Sequence, residues 1–600
     1  MPTTSGKIYL GSVLVAGGGG GGEPPAPAGW VRNPSWPDCE ADAGDNKIVG
    51  LYAVWPSGGN FFAMTISGAY TINFGDGTTT NFTSGSTAYR EFDYNNANLA
   101  NTDAPVTFTA STDIVNRTAH GYTNGMIVRF YNIVTTTGID QEQQYYVINA
   151  TANTFQVSLT EGGSAVVLTN DGSATLLPYK VATVTVTPQA ANNLTSVNFF
   201  VKHNQASLVS GYSTGWLDIA IAAPSCTTLV IGSSATTVRH GYLEQVRLNQ
   251  LGTITSFANL FFNCAMLKSV EVADTITSVT DTSNMFSQCK ALTSASLFDT
   301  SSVTNMSNMF YGCSALTSVP LFDTSSVTDM YNMFYFCTSL TSVPLFDTSS
   351  VTNMKTCFSQ CRALTSVPLF NTSLVTNMEQ MFSGDGVLTS VPLFDTSSVT
   401  NMSSMFQNCS LLTSVPLFDT SSVTTMYNMF ISCQTLTSVP LFDTSLVTNM
   451  VQTFYGCTLL TSVPLFDTSS VTDMYAMFIY CSGLTSVPLF NTTSVIRMSN
   501  MFQNCTSLTS VPAFVTTAVT SSTNFNLMFN TCSSLARVEA KNFRYTFSVA
   551  SCKLSSAALN EIYTNLPSAG GQAITVTGNY GIAGDTPTIA TAKGWAVIGS

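Results

Sequence analysis

Charge is scarce in this chain. Only 9% of its 600 residues are charged, against roughly 25% in ordinary globular proteins. The 20 basic residues are scattered, 33 acidic residues outnumber them, and the formal net charge is −13. A nucleic-acid partner needs clustered Lys and Arg to neutralise phosphates, so no nucleic acid is expected. Histidine is nearly absent: only His120, His203 and His240 occur, none beside a Ser or Cys nucleophile motif. There is no phosphate loop, no His-Glu-x-x-His and no Gly-x-Ser-x-Gly. No catalytic residue, metal ligand set or cofactor is therefore assigned, and the chain reads as non-enzymatic. No apolar run approaches the roughly 20 residues that span a bilayer, so no membrane insertion is expected. Ile8 to Val15 is too short and glycine-interrupted for a standard export signal.

Cysteine is present but lacks the spacing of zinc sites or disulfide frameworks. Cys289, Cys313, Cys337, Cys361, Cys409, Cys433, Cys457, Cys481 and Cys505 fall on a 24-residue grid, with Asp385 in the vacant slot. Stacked coils hold equivalent side chains about 4.8 Å apart and parallel, whereas a disulfide wants Cβ atoms nearer about 3.8 Å and converging. A buried ladder of free thiols is favoured over bridges.

The same grid carries everything else. Ser-Val-Pro returns with prolines at Pro320, Pro344, Pro368, Pro392, Pro416, Pro440, Pro464, Pro488 and Pro512. A fixed period of this length signals a solenoid of stacked coils. Degenerate rungs start near Leu243 and end at Leu535, thirteen in all, or about 60 Å of array. In one coil Leu316, Val319 and Leu321 are expected to point inward. Phe322, Val327, Met330, Met333, Phe334 and Cys337 complete the core, with Met and Phe as packing rather than a cofactor box. The aligned Asp299, Asp323, Asp347, Asp395, Asp419, Asp443 and Asp467, with Asn371 and Asn491 in the same column, read as turn caps; calcium is the open alternative. The Asn305, Asn353, Asn377, Asn401 and Asn449 column is a second turn ladder.

Some slots differ from coil to coil around Met-Phe and after Cys. Exposed aromatics there suit an interface better than an idle surface. Neutral drift on an unconstrained turn is the favoured reading of these slots; under the functional one, Tyr331, Tyr335, Phe336, Lys355, Arg362, Tyr427, Tyr455, Tyr475 and Tyr480 form the candidate recognition face.

The repeat, with Asp-Thr-Ser-x-Val-Thr-x-Met, x-x-Met-Phe-x-x-Cys and a Leu-rich strand, resembles the BspA-type leucine-rich repeat over about 290 residues. That resemblance implies a mainly β leucine-rich-repeat solenoid that binds proteins or matrix without catalysis. Tyr70 to Thr78, with Phe-Gly-Asp-Gly, resembles the strand-turn of PKD-type β-sandwiches, which implies a structural role for Asp76. Tyr179 to Pro188 resembles that family's last strand. The interval between reads as a separate β-module similar to those of phage tail and fibre proteins.

The resulting division is an N-terminal attachment segment and Gly tether (1–22) and a Pro-rich linker (23–47). A PKD-like sandwich follows in two parts (48–105 and 178–205) around an inserted β-module (106–177). A cap with degenerate rungs (206–250), the solenoid (251–540) and a small α/β C-terminal cap (541–600) complete it. This order suggests a phage virion structural protein: a tail fibre, spike or decoration component, located on an extracellular particle. Its partners would be other virion proteins at the N-terminus and a host cell-surface receptor or glycan, and a homo-trimer is one assembly it allows. A BspA-like adhesin on a bacterial surface is the alternative, and a polysaccharide depolymerase the second alternative.

Overall fold

The structure is a computed structural model. It describes residues 36–600 except 38, 43–44, 55–59, 102–103, 119–123, 125–126, 129, 141–144, 161, 177–179, 190–192, 203–214, 233–239, 241, 274–275 and 542. The expected attachment segment and Gly tether, His120 and His203 lie outside the described residues.

The N-terminal part is layered around one sheet. Its strand order is Ser269–Val272, Gln245–Leu251, Trp216–Ala223, Lys47–Val54, Lys180–Pro188, Tyr70–Asn73 and Thr79–Phe82. All eight residues of Trp216–Ala223 are buried, and so are seven of eight in Lys47–Val54. Burial on both faces explains why these strands are near-continuous apolar runs rather than alternating. One face meets a four-stranded sheet that includes Phe61–Ser67 and Thr87–Glu91. Tyr52, Phe62, Phe74, Phe92 and Trp216 pack edge-on or tilted between these two sheets. Gly50 is required here, because a Cβ on it would sit 2.3 Å from the Trp216 ring. The other face shares a core with a seven-stranded sheet built from residues 104–176. Trp36, Cys39 and Ala41, inside the stretch read as a linker, are buried in that second core.

Asp76 is buried and makes the expected tight turn. Its carboxylate accepts from the Thr78 N–H at 3.0 Å and from Arg90 Nε at 2.7 Å.

Trp216–Ala223 is the joint of the molecule. It pairs antiparallel with Lys47–Val54 on one side and parallel with Gln245–Leu251 on the other. Gln245–Leu251 then pairs parallel with Ser269–Val272. The solenoid therefore grows out of the N-terminal sheet, and its first edge is covered rather than left to pair with another chain.

From residue 297 the coils are uniform and form a leucine-rich-repeat solenoid. Three structures hold each coil to the next. Along one wall, alternate backbone N–H groups donate to the following coil: Met330 to Asn353, Asn332 to Lys355, Phe334 to Cys357 and Phe336 to Ser359, at 2.9–3.1 Å. The buried threonine of Asp-Thr-Ser adds a staple, as Thr324 Oγ1 donates to the Asp347 carbonyl at 2.7 Å. Inside, phenylalanines stack in files, with Phe310 and Phe334 5.6 Å apart and nearly parallel. All fifteen cysteines are buried free thiols. From Cys313 to Cys505 each ladder thiol donates to a carbonyl 27 residues back, as Cys337 does to Phe310 at 3.1 Å. Burial pushes their pKa up, to about 12 for Cys264, so they are poor thiolate nucleophiles.

The opposite wall is weaker, for a reason visible in the last coil. There Glu539 donates its N–H to the Val511 carbonyl at 3.0 Å, and Ser510–Val511 pairs with Arg537–Val538. Every uniform coil has proline where Glu539 stands, and proline has no N–H to give. Instead Phe322 N–H folds back onto the Pro320 carbonyl at 3.0 Å. That three-residue turn rotates Leu321 outward and gives its inward place to Phe322. The expectation that Leu321 is core is therefore wrong: it is 60% exposed, and Phe322 is 1% exposed.

The far end is closed as expected by an α/β cap. The helix Ser556–Asn565 is capped by the Ser555 side chain, which accepts from the Ala558 N–H. Phe547–Ser548, Gln572–Thr575 and Trp595–Ile598 form a parallel sheet. A bidentate Arg537–Glu561 pair ties the helix to the last rung.

Candidate functional site

The turn that follows Met330 decides which side chains reach solvent. Two successive tight turns, Met333 N–H to Met330 O and Tyr335 N–H to Asn332 O, carry the chain around each coil. They place two residues per coil in the left-handed backbone region. One column holds Asn308, Asn332, Thr356, Gln380, Ser404, Asn428, Gln452, Ala476 and Asn500. The other holds Gln288, Gly312, Phe336, Gln360, Gly384, Asn408, Ser432, Gly456, Tyr480 and Asn504.

The second column matters most. Glycine and asparagine tolerate this region, whereas bulky side chains are disfavoured there. Phe336 has φ +61° and Tyr480 has φ +61°. Both are exposed, at 38% and 49%. The column is thus not free to vary, and these two aromatics occupy it against the backbone preference.

Each sits in an aromatic patch. Tyr335 packs edge-on against Phe336 at 4.7 Å between ring centres, and Tyr311 lies 5.3 Å from Tyr335. In the second patch Tyr455 packs edge-on against Tyr480 at 5.6 Å, and the Arg497 guanidinium lies 3.7 Å from the Tyr475 ring centre. Tyr311, Tyr331 and Phe336 recur as Tyr455, Tyr475 and Tyr480, in each case 144 residues later. Six coils separate the patches, or about 29 Å along one face. Burial, then the neighbouring tyrosines, raises the pKa of Tyr335 and Tyr455. Both phenols therefore stay neutral hydrogen-bonding groups at physiological pH.

The other candidates are not gathered in the same way. Lys355 is paired with Glu379 at 2.9 Å. Arg362 is exposed and donates to Gln360 at 3.1 Å. Tyr427 is exposed between the patches. Tyr311 and Arg497 were not among the expected residues. The signal for Tyr311 was its column, shared with Tyr335 and Tyr455.

The aspartate column has its partners within its own turn. Asp323 Oδ1 accepts from the Ser325 hydroxyl at 2.6 Å and the Ser325 N–H at 3.1 Å. These bonds hold its carboxyl below the usual carboxylate range. A cleft of about 540 Å³ opens between Ile148, Asn149 and Gly162 to Ala165 on one side and the coil edge at Lys290, Ser314 and Ser339 on the other.

This geometry defines a leucine-rich-repeat solenoid with an aromatic-bearing face. Residues 255–367, 365–439 and 432–543 each match a family model described as Mycoplasma protein of unknown function, DUF285. Among solved structures, the chain is similar to a leucine-rich repeat protein from Eubacterium ventriosum. Identity is 20% and the TM-score 0.32, covering 49% of this chain and 92% of that one. It is also similar to a leucine rich cell surface protein from Faecalibacterium prausnitzii. There identity is 18% and the TM-score 0.29, covering 56% of this chain and 92% of that one. No curated protein matches.

Proposed function

We propose that this chain is a non-enzymatic surface adhesin that holds an extended partner across the two aromatic patches. The observation that carries this reading is the pair Phe336 and Tyr480. A residue held in an unfavourable backbone region and exposed to solvent loses on both counts unless it does something for the protein. Both pay that cost in register, six coils apart, beside further tyrosines. Flat aromatics with polar tips are also the side chains most enriched where proteins bind.

The BspA-type repeat supports a bacterial cell-surface setting over a virion one, and the modular order that suggested a virion has no further finding behind it. Against a depolymerase stands the engagement of the aspartate column in its own turns. Binding of labelled full-length protein to an array of glycans and matrix proteins tests the proposal. A ligand whose signal disappears with F336N/Y480N supports it. Retention of every signal by that double variant refutes it.

A further inference from the structure

The outward leucine of each coil leaves a second surface with no role in the adhesin reading. Leu297, Leu321, Leu345, Leu369, Leu393, Leu417, Leu441, Leu465 and Leu489 are all exposed, the last eight at 58–60%. One leucine per coil at about 4.8 Å makes a single stripe about 38 Å long. At about 60 Å² of exposed apolar surface each, nine leucines present on the order of 500 Å². Monomers rarely leave contiguous apolar patches above a few hundred Å² uncovered. With the exposed Thr317, Ser318 and Asp323 columns alongside, the strip approaches the roughly 800 Å² per partner of a stable interface.

Two features say what covers it. The aromatic slots vary from coil to coil, as recognition of a heterogeneous partner requires. The leucine column does not vary over nine coils. An invariant column at fixed spacing fits an occupant with the same spacing, and another copy of this solenoid has it. Charge also bears on the choice. Between residues 297 and 512 the basic residues, Lys355, Arg362 and Arg497, all lie in other columns. The strip is neutral to acidic, which disfavours an anionic surface.

We propose that the leucine stripe is a self-association surface, packing face to face with the stripe of a second copy. Along the chain path Thr317 and Ser318 precede the leucine and Asp323 follows it. If the two copies run in the same direction about a two-fold axis, each aspartate ladder faces the partner's hydroxyl columns. Opposite directions would put aspartate against aspartate. The pair therefore runs in the same direction.

Sedimentation of the full chain over a range of concentrations tests this. The wild type is expected to pass from one copy to two, and more readily at high salt, which screens the remaining acidic repulsion. L369N/L393N/L417N removes three exposed leucines per copy and is expected to weaken association at least a hundredfold, with an unchanged melting temperature. F336N/Y480N should associate like the wild type, which separates this surface from the adhesin reading. A spin label on L489C should lie close to its twin in the pair. A wild type that stays monomeric throughout, or a triple leucine variant that associates equally well, overturns the proposal. So does leucine-dependent pelleting of the monomer with phosphatidylcholine vesicles, which would give the stripe to lipid.

Discussion

The first rungs and the uniform coils solve the same stacking problem with different means. Between Trp216 and Val272 the strands are continuous, and charged groups are buried in pairs. Arg247 lies 3.1 Å from Asp218 and also donates to the Cys39 carbonyl, and Lys268 lies 3.2 Å from Glu244. Between residues 297 and 512, Asp385 is the one buried charged residue among those described. Uniform coils have no need of such pairs, and pay for uniformity in another way. Most coils fit most others, so a slip of 24 residues would preserve most core contacts. The joint cannot slip, because Arg247 finds its acid and its carbonyl in one register only. Buried polar groups are best attested as devices of this kind, fixing register at some cost in stability.

Breaking the joint should therefore cost more than breaking a coil. Asp218→Ala strands Arg247 in a dry core and is expected to destabilise by about 3–5 kcal/mol. Cys433→Ala in mid-array removes one small apolar group and a weak thiol bond to Phe406, at about 1 kcal/mol. Urea unfolding followed by tryptophan fluorescence, with Trp216 at the joint, measures both. Equal costs would mean that the joint has no special status.

The joint also holds an acid-sensitive group. His240 is fully buried, and burial lowers its pKa to about 4. An unfolded histidine takes up a proton near pH 6.5. As pH falls from 6.5 to about 4 the unfolded state gains protons that the folded state refuses, so stability falls, by about 3 kcal/mol in all. Below pH 4 this contribution levels off. His240→Phe should flatten the profile in that window.

At Asp385, one slot of the array, the sensitivity has the opposite sign. Asp385 fills a cysteine slot, and burial raises its pKa well above the usual value. Its Oδ1 accepts from the Cys361 N–H at 2.7 Å, and its Oδ2 has no partner in the structure. The unfolded carboxyl ionises near pH 4 while the folded one keeps its proton, so stability falls as pH rises above 4 until the folded group also ionises. Asp385→Cys, which restores the ladder, is expected to stabilise by about 2 kcal/mol at neutral pH and to remove this slope.

The coil and its core were legible in the sequence because repetition does the work of an alignment. A column that stays apolar through ten coils is core, and the Met, Phe and Cys columns are all buried. Leu321 was misread because its column is equally invariant and apolar. At Pro320 a missing N–H replaces a ladder bond by a local turn, which the apolar pattern alone does not show. The left-handed column carried a readable signal, with Gly312, Gly384 and Gly456 beside Asn408 and Asn504. The pairing of Arg247 with Asp218 had none, since 29 residues separate the two on neighbouring parallel strands.

The smallest effect on stability tests the comparison most sharply, because it should run against function. Phe336→Asn and Tyr480→Asn each replace a bulky side chain at φ +61° by one that tolerates that backbone. Relief of the left-handed penalty of about 1–2 kcal/mol is offset in part by lost ring packing against Tyr335 and Tyr455. A net gain of about 0.5 kcal/mol per site is expected, seen as a higher urea midpoint. The matched substitution Gln360→Asn, in the same column, gives up the bond from Arg362 and should leave binding at the two patches unchanged. A double variant that is more stable and no longer binds would mark Phe336 and Tyr480 as residues held for recognition at the fold's expense. A double variant that is less stable would return both aromatics to the fold, as surface packing that happens to repeat every six coils.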